Sequence, residues 1–254
     1  MRTLFGTILA ATFAFGAAFA ADRQSDAARM GATAMNPGGA LRCVERIGGG
    51  EFKVLIYGNS IALHAPKADI GWTNCWGMAA SAAEKDFAHL VVAGLEAKLG
   101  KKADFRIRNL AELERNFTTN IATVAEISAD VAWKPDYVVI AIGENSPNID
   151  KSNADSFQKF LSDIARPFAK NRAKVVMRSP FWRNAAKASC TAKAAAEVGA
   201  VYVDAGHLGE KDENKAIGLF SHGGVANHPG DLGMKRLAEL VLSGIPFEQI
   251  YSVP

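Results

Sequence analysis

From position 52 onward, short runs of β-branched and aromatic residues alternate with longer segments whose apolar residues recur every three or four positions. That alternation restricts the possible folds more than any single motif does. Strands are expected at 52–57, 105–110, 137–142, 174–177 and 201–203, and helices at 81–99, 118–132, 154–170, 185–198 and 232–242. The first helix carries Phe87, Val91, Leu95 and Leu99 on one face and stops at Gly100. Lys134-Pro135 ends the second, and Asp231 reads as the N-cap of the last. Strand and helix in alternation imply parallel pairing through right-handed crossovers. The expected class is therefore α/β: a three-layer α/β/α, doubly wound, five-stranded parallel sheet, with the flavodoxin-like order 2-1-3-4-5 taken as an assumption.

A chain of 254 residues can bury one sizeable core. Its formal charge of +3 comes from Lys and Arg scattered among Asp and Glu, a pattern that points neither to nucleic acid nor to a polybasic membrane patch. Residues 1–20 differ from the rest: Arg2, an apolar stretch from Leu4 to Ala17, then Ala18-Phe19-Ala20. These are the marks of a secretory signal cleaved after Ala20. The stretch is a poor membrane anchor, and no later one is apolar enough to span a bilayer. An exported protein, periplasmic or secreted, is expected, with an irregular leader over 21–50 and the folded domain over 51–254. Within the leader, 41–47 is the most orderable part. Cys43, Cys75 and Cys190 allow one disulfide and one free thiol without saying which. None has zinc-site spacing, and no Cys-x-x-Cys is present, so no metal or cofactor is expected.

In sheets of this class ligands bind at the carboxyl ends of strands. The run from Phe52 to Tyr57 leads there into Gly58-Asn59-Ser60. The run from Tyr137 to Ile142 leads into Gly143-Glu144-Asn145, and Asn227-His228-Pro229 precedes the closing helix. There is no phosphate-binding glycine loop and no Gly-x-Ser-x-Gly elbow. Ser60 taken alone also reads as a helix cap. Acyl transfer, however, needs a nucleophile, a base to take its proton and donors for the developing oxyanion. Ser60, His228 and Asn145 supply those three parts.

In order and spacing these blocks resemble the first, third and fifth blocks of the SGNH/GDSL hydrolase family, over about 52–244. The resemblance implies a flavodoxin-like serine esterase, lipase or carbohydrate deacetylase. It makes Ser60 the nucleophile and His228 the base, with the Ser60 main-chain N–H and the Asn145 side chain in the oxyanion hole. Three departures stand against the pattern. Asn59 replaces an Asp. Val225 occupies the place of the Asp that normally orients the histidine, leaving a main-chain carbonyl, or an acid elsewhere such as Asp204 or Glu210, to do so. The second block lacks its glycine: Asn109-Leu110-Ala111-Glu112-Leu113-Glu114 follows the second strand, so a third oxyanion donor would have to be a backbone N–H from 112–114.

Trp72 and Trp76, in the loop after Ser60, are candidates for a sugar platform or acyl pocket, or else for packing that loop onto the sheet. His222 reads as a loop histidine, Glu144 as a solvated turn residue, and Arg178 and Arg183 as partners of nearby acids; His89 and His207 receive no role. The expected activity is hydrolysis of a small-molecule or carbohydrate ester, with O-acetyl groups on a carbohydrate preferred. An acyltransferase would use the same residues, and a binding protein that has lost catalysis would retain the same scaffold. Assembly state is not legible.

Overall fold

A strand apolar on both faces must lie in a sheet covered on both sides, and Val54, Leu55, Ile56 and Tyr57 are all fully buried. The computed structural model describes residues 43–247; the expected signal segment, its cleavage site and most of the 21–50 leader lie outside the described residues. Six strands form one sheet: β1 (Cys43–Arg46), β2 (Phe52–Gly58), β3 (Ala103–Asn109), β4 (Tyr137–Ile140), β5 (Lys174–Arg178) and β6 (Val201–Val203). Their order is β1-β3-β2-β4-β5-β6. All neighbours are parallel except β1, which pairs antiparallel with β3, Val44 lying opposite Ile107. The five expected strands thus follow the assumed order, and the orderable part of the leader adds a sixth at the edge.

Eight helices complete the described chain: α1 (Phe87–Leu99), α2 (Ala111–Arg115), α3 (Ala125–Trp133), α4 (Ala154–Lys170), α5 (Ala185–Val198), α6 (Gly206–Gly209), α7 (Gly223–Ala226) and α8 (Asp231–Gly244). Phe157, Phe160, Leu161, Ile164 and Phe168 recur at helical spacing along α4 and pack with Cys190 and Ala194 of α5 onto Leu55, Tyr57, Val138, Ile140 and Met177. On the other face α1 lies against α8 closely enough that a Cβ on Gly94 would come within 2.3 Å of Leu242 Cδ1.

Helix α1 begins later than its apolar periodicity suggests. Residues 81–86 form a loop with one 3₁₀ turn, and Asp86 caps the helix by accepting the His89 N–H. His89 is buried and its Nδ1 lies 2.9 Å from the same carboxylate. Asp231 is also displaced from its expected place: Gly230 is the N-cap, and Asp231, one residue inside, accepts from the Ser81 N–H and hydroxyl and from Lys85. It ties the long loop to α8. Cys75 and Cys190 are free thiols. Among the described residues no helix is long and apolar enough to cross a membrane.

Candidate active site

Parallel strands deliver their carboxyl ends to one rim, and here the chain turns sharply as it leaves β2. A Cβ on Gly58 would lie 2.4 Å from Ala62 Cβ, so the tight turn that presents Ser60 requires glycine at 58. The Asn59 carbonyl accepts from the N–H groups of Ala62 and Leu63, and the Ser60 carbonyl accepts from Met78 N–H at 2.8 Å. His228 arrives from α7, just ahead of α8. Its Nε2 lies 2.8 Å from Ser60 Oγ. Its Nδ1 lies 2.7 Å from the Gly224 carbonyl oxygen, which can only accept, so Nδ1 carries the hydrogen and Nε2 presents its lone pair to the serine.

Of the three possible orienters of His228, the structure thus provides a main-chain carbonyl. Val225 is buried, and its own N–H donates to His222 Nδ1 at 3.3 Å. Asp204 is engaged with the Ser179 hydroxyl at 2.7 Å, and Glu210 is paired with Arg183. Burial lowers the His228 pKa to about 4, against the opposing effect of the Gly224 carbonyl. The imidazole is accordingly neutral at neutral pH. Trp182 packs against it, the ring centroids being 5.3 Å apart and nearly perpendicular. The position of Trp182, four residues beyond the end of β5, was the available sequence signal for that contact.

Ser60, Asn145 and His228 line a single cleft of about 700 Å³ with His64, Met78 and Arg115 among its walls. Asn145 stands in the loop after β4. Gly143 there has φ +122°, a conformation that strains any side chain. The Asn145 Oδ1 faces Arg115 Nη2 at 3.4 Å, and its Nδ2 faces Glu114 at 3.4 Å. The second Nδ2 hydrogen has no partner among the described residues. For the third donor, the Glu114 N–H is excluded because it closes the first turn of α2 onto the Leu110 carbonyl. The first-turn donors at 112 and 113 precede that intrahelical ladder.

Glu144 is a correction to its reading as a solvated turn residue. Its side chain is 2 % exposed and lies 2.7 Å from Nη1 of a fully buried Arg178. Burial favours its neutral form, but Arg178 and the Phe181 N–H outweigh that and hold its pKa below the usual range. Arg178 Nε and Nη2 have no hydrogen-bond partner among the described residues, while its Cζ lies 5.5 Å over the Phe87 ring. Replacing one partner of such a pair leaves the other charge buried. Arg178→Met is therefore expected to cost about 3–5 kcal/mol of stability. Urea unfolding measures it, and a cost under about 1 kcal/mol would mean that the pair does not hold Glu144.

The two loop tryptophans are placed by packing. Trp72 is 1 % exposed, clustered with Met78, Ala216 and Val225 and set edge-on to Trp76 at 6.1 Å. Trp76 Nε1 donates to the Ala80 carbonyl at 2.9 Å. Neither lines the cleft; of the two readings, platform or packing of the loop, their contacts are those of packing. His222 lines the cleft rim and caps α7. Among the described residues no cluster of three or more His, Cys, Asp or Glu is disposed to hold a metal ion.

No family model and no curated protein sequence matches the chain. Solved structures do. One is a variant of Axe2, an acetyl-xylooligosaccharide esterase from Geobacillus, at 18 % identity over 80 % of this chain and 98 % of that one, with a TM-score of 0.50. Two others are TesA, at 19 % identity over 76 % and 97 % with TM-score 0.49, and the esterase EstA from Pseudoalteromonas, at 12 % over 76 % and 96 % with TM-score 0.47. The likeness to Axe2 is one of fold: a mostly parallel sheet flanked by helices.

Proposed function

We propose that this protein is an exported serine ester hydrolase. The observation that carries the reading is the chain of contacts from Ser60 Oγ to His228 Nε2 at 2.8 Å and from His228 Nδ1 to the Gly224 carbonyl at 2.7 Å. In the first step Ser60 Oγ attacks the ester carbonyl carbon as its proton passes to His228 Nε2. The carbonyl π electrons move onto the oxygen, which takes hydrogen bonds from the Ser60 N–H and the free Asn145 Nδ2 hydrogen. Collapse breaks the bond to the alcohol, which leaves with the proton from Nε2. Water then repeats the sequence on the acyl-enzyme, releasing the acid and restoring Ser60. The Gly224 carbonyl keeps the imidazole in the tautomer this requires.

The missing Asp at 225 and the missing glycine of the second block favour a binding protein only if nothing replaces them. The carbonyl at 224 supplies the orienting acceptor, which weakens that alternative. O-acetyl groups on a carbohydrate are the proposed substrate class. Axe2 is described as an acetyl-xylooligosaccharide esterase, and the cleft mixes polar Asn109, His64 and His222 with apolar Ile70 and Met78. The signal-like 1–20 segment supports export.

A fluorophosphonate probe tests the reading without a substrate guess. The wild type is expected to be labelled and Ser60→Ala to be silent, with p-nitrophenyl acetate turnover following the same pattern. Equal labelling of both proteins, or none of either, would remove Ser60 from the chemistry.

A further inference from the structure

Beneath the oxyanion side of the cleft lies a buried carboxyl that the reaction as described does not use. Glu114, fully buried near the end of α2, accepts hydrogen bonds from four donors. Its Oε1 accepts from Asn59 Nδ2 at 2.9 Å, and its Oε2 from the main-chain N–H groups of Gly143 at 3.0 Å and Asn145 at 2.7 Å, with Asn145 Nδ2 at 3.4 Å. The other Asn59 Nδ2 hydrogen goes to Glu144 Oε2 at 2.7 Å. Asparagine at 59 and glutamate at 114 are thus matched. An aspartate at 59 would bring a third carboxyl to a site already holding two, whereas the amide gives one hydrogen to each. From the opposite side Lys187 Nζ donates to the Gly143 and Ser146 carbonyls at 2.9 and 2.7 Å. The loop that carries Asn145 is gripped by its N–H groups on a carboxyl and by its carbonyls on an ammonium.

Resting on the esterase reading, we propose that Glu114 is a positioning residue: its ionised carboxyl fixes the Gly143–Asn145 main chain and one side of the Asn145 amide, leaving the second amide hydrogen for the oxyanion. A protonated Glu114 would set an O–H against one of these donors and break a contact. The groups facing it are Asn59 after β2, Gly143, Glu144 and Asn145 after β4, Arg178 of β5 through Glu144, and Lys187 of α5. Burial, then the charge of Glu144, push the Glu114 pKa up to about 7 against its hydrogen-bond donors. With His228 at about 4, the two ionisations are well separated. The acid limb of kcat therefore reports Glu114 rather than the base.

The test is the kcat profile of the full chain on p-nitrophenyl acetate from about pH 5 to 9, beside amide resonances of ¹⁵N-labelled protein. Wild type should gain activity through about pH 7, and its Gly143 and Asn145 amide protons should shift with the same midpoint. Glu114→Gln should lose that limb and that shift, with kcat at about pH 8 down tenfold to a hundredfold and KM within about twofold. A merely structural loss of folded protein would scale every pH alike. Persistence of the limb, or of the amide shift, in Glu114→Gln would overturn the proposal. Should Glu114→Gln not fold, Asn59→Asp adds a charge beside the pair and should move both midpoints upward by about one pH unit or more; unmoved midpoints would equally overturn it. A wild type without turnover whose amides titrate through Glu114 would support the grip on the loop and refute the esterase reading alone.

Discussion

Ser60→Ala, His228→Ala and the double variant are expected to lose kcat by the same factor, on the order of 10⁵–10⁶. The equality is the informative part. A serine hydroxyl has no nucleophilic standing until its proton is taken, and an imidazole without that hydroxyl has nothing to activate, so the 2.8 Å contact makes them one device. Removing either removes both, and the residual rate comes from the oxyanion donors and the cleft. Steady-state and burst kinetics on p-nitrophenyl acetate measure it, with thermal unfolding to show that each variant is folded. If the double variant lost the product of the two single losses, the residues would be acting separately and the proton path through Nε2 would be wrong.

Asn145→Ala should cost about 10²–10³ in kcat, with KM little changed, because the amide meets negative charge only as the tetrahedral centre forms. The loss is smaller than that for Ser60 because the Ser60 N–H remains. The loop itself should persist, since Glu114 holds it through main-chain N–H groups that alanine retains. A loss expressed in KM instead would make Asn145 a substrate-binding residue and leave the oxyanion without its side-chain donor.

The parts of this molecule written as apolar periodicity were legible in its sequence. Helices α4 and α5 occupy the expected 154–170 and 185–198, since each has a wide buried face and clear ends at Asn153 or Asn184 and at Asn171 or Gly199. Strand β1 was not: four residues at a sheet edge, with Glu45 and Arg46 among them, carry no pattern until β3 is there to pair with. Likewise 81–86 reads as helix because nothing local announces that Asp86 will cap.

The convergence of Ser60, Asn145 and His228 on one cleft was legible because parallel strands deliver their carboxyl ends to one rim. Their supports were hidden for a different reason. Glu112-Leu113-Glu114-Arg115 has the composition of a solvated helix face, and only the sheet geometry shows that Glu114 points inward. Glu144 was masked by its turn context. The tryptophans were ambiguous in sequence: two large rings after Ser60 suit a ligand wall or the packing of their loop equally, and only the structure shows Trp72 in the small core that holds that loop.

The oxygen that steadies His228 belongs to the peptide link at Gly224, and a peptide link is common to every amino acid. No codon change at that position can delete the acceptor, and no acidity within the folded range can protonate it. The tether is exposed to mutation only through the path of the chain between 224 and 228, so keeping it means keeping a turn rather than a side chain.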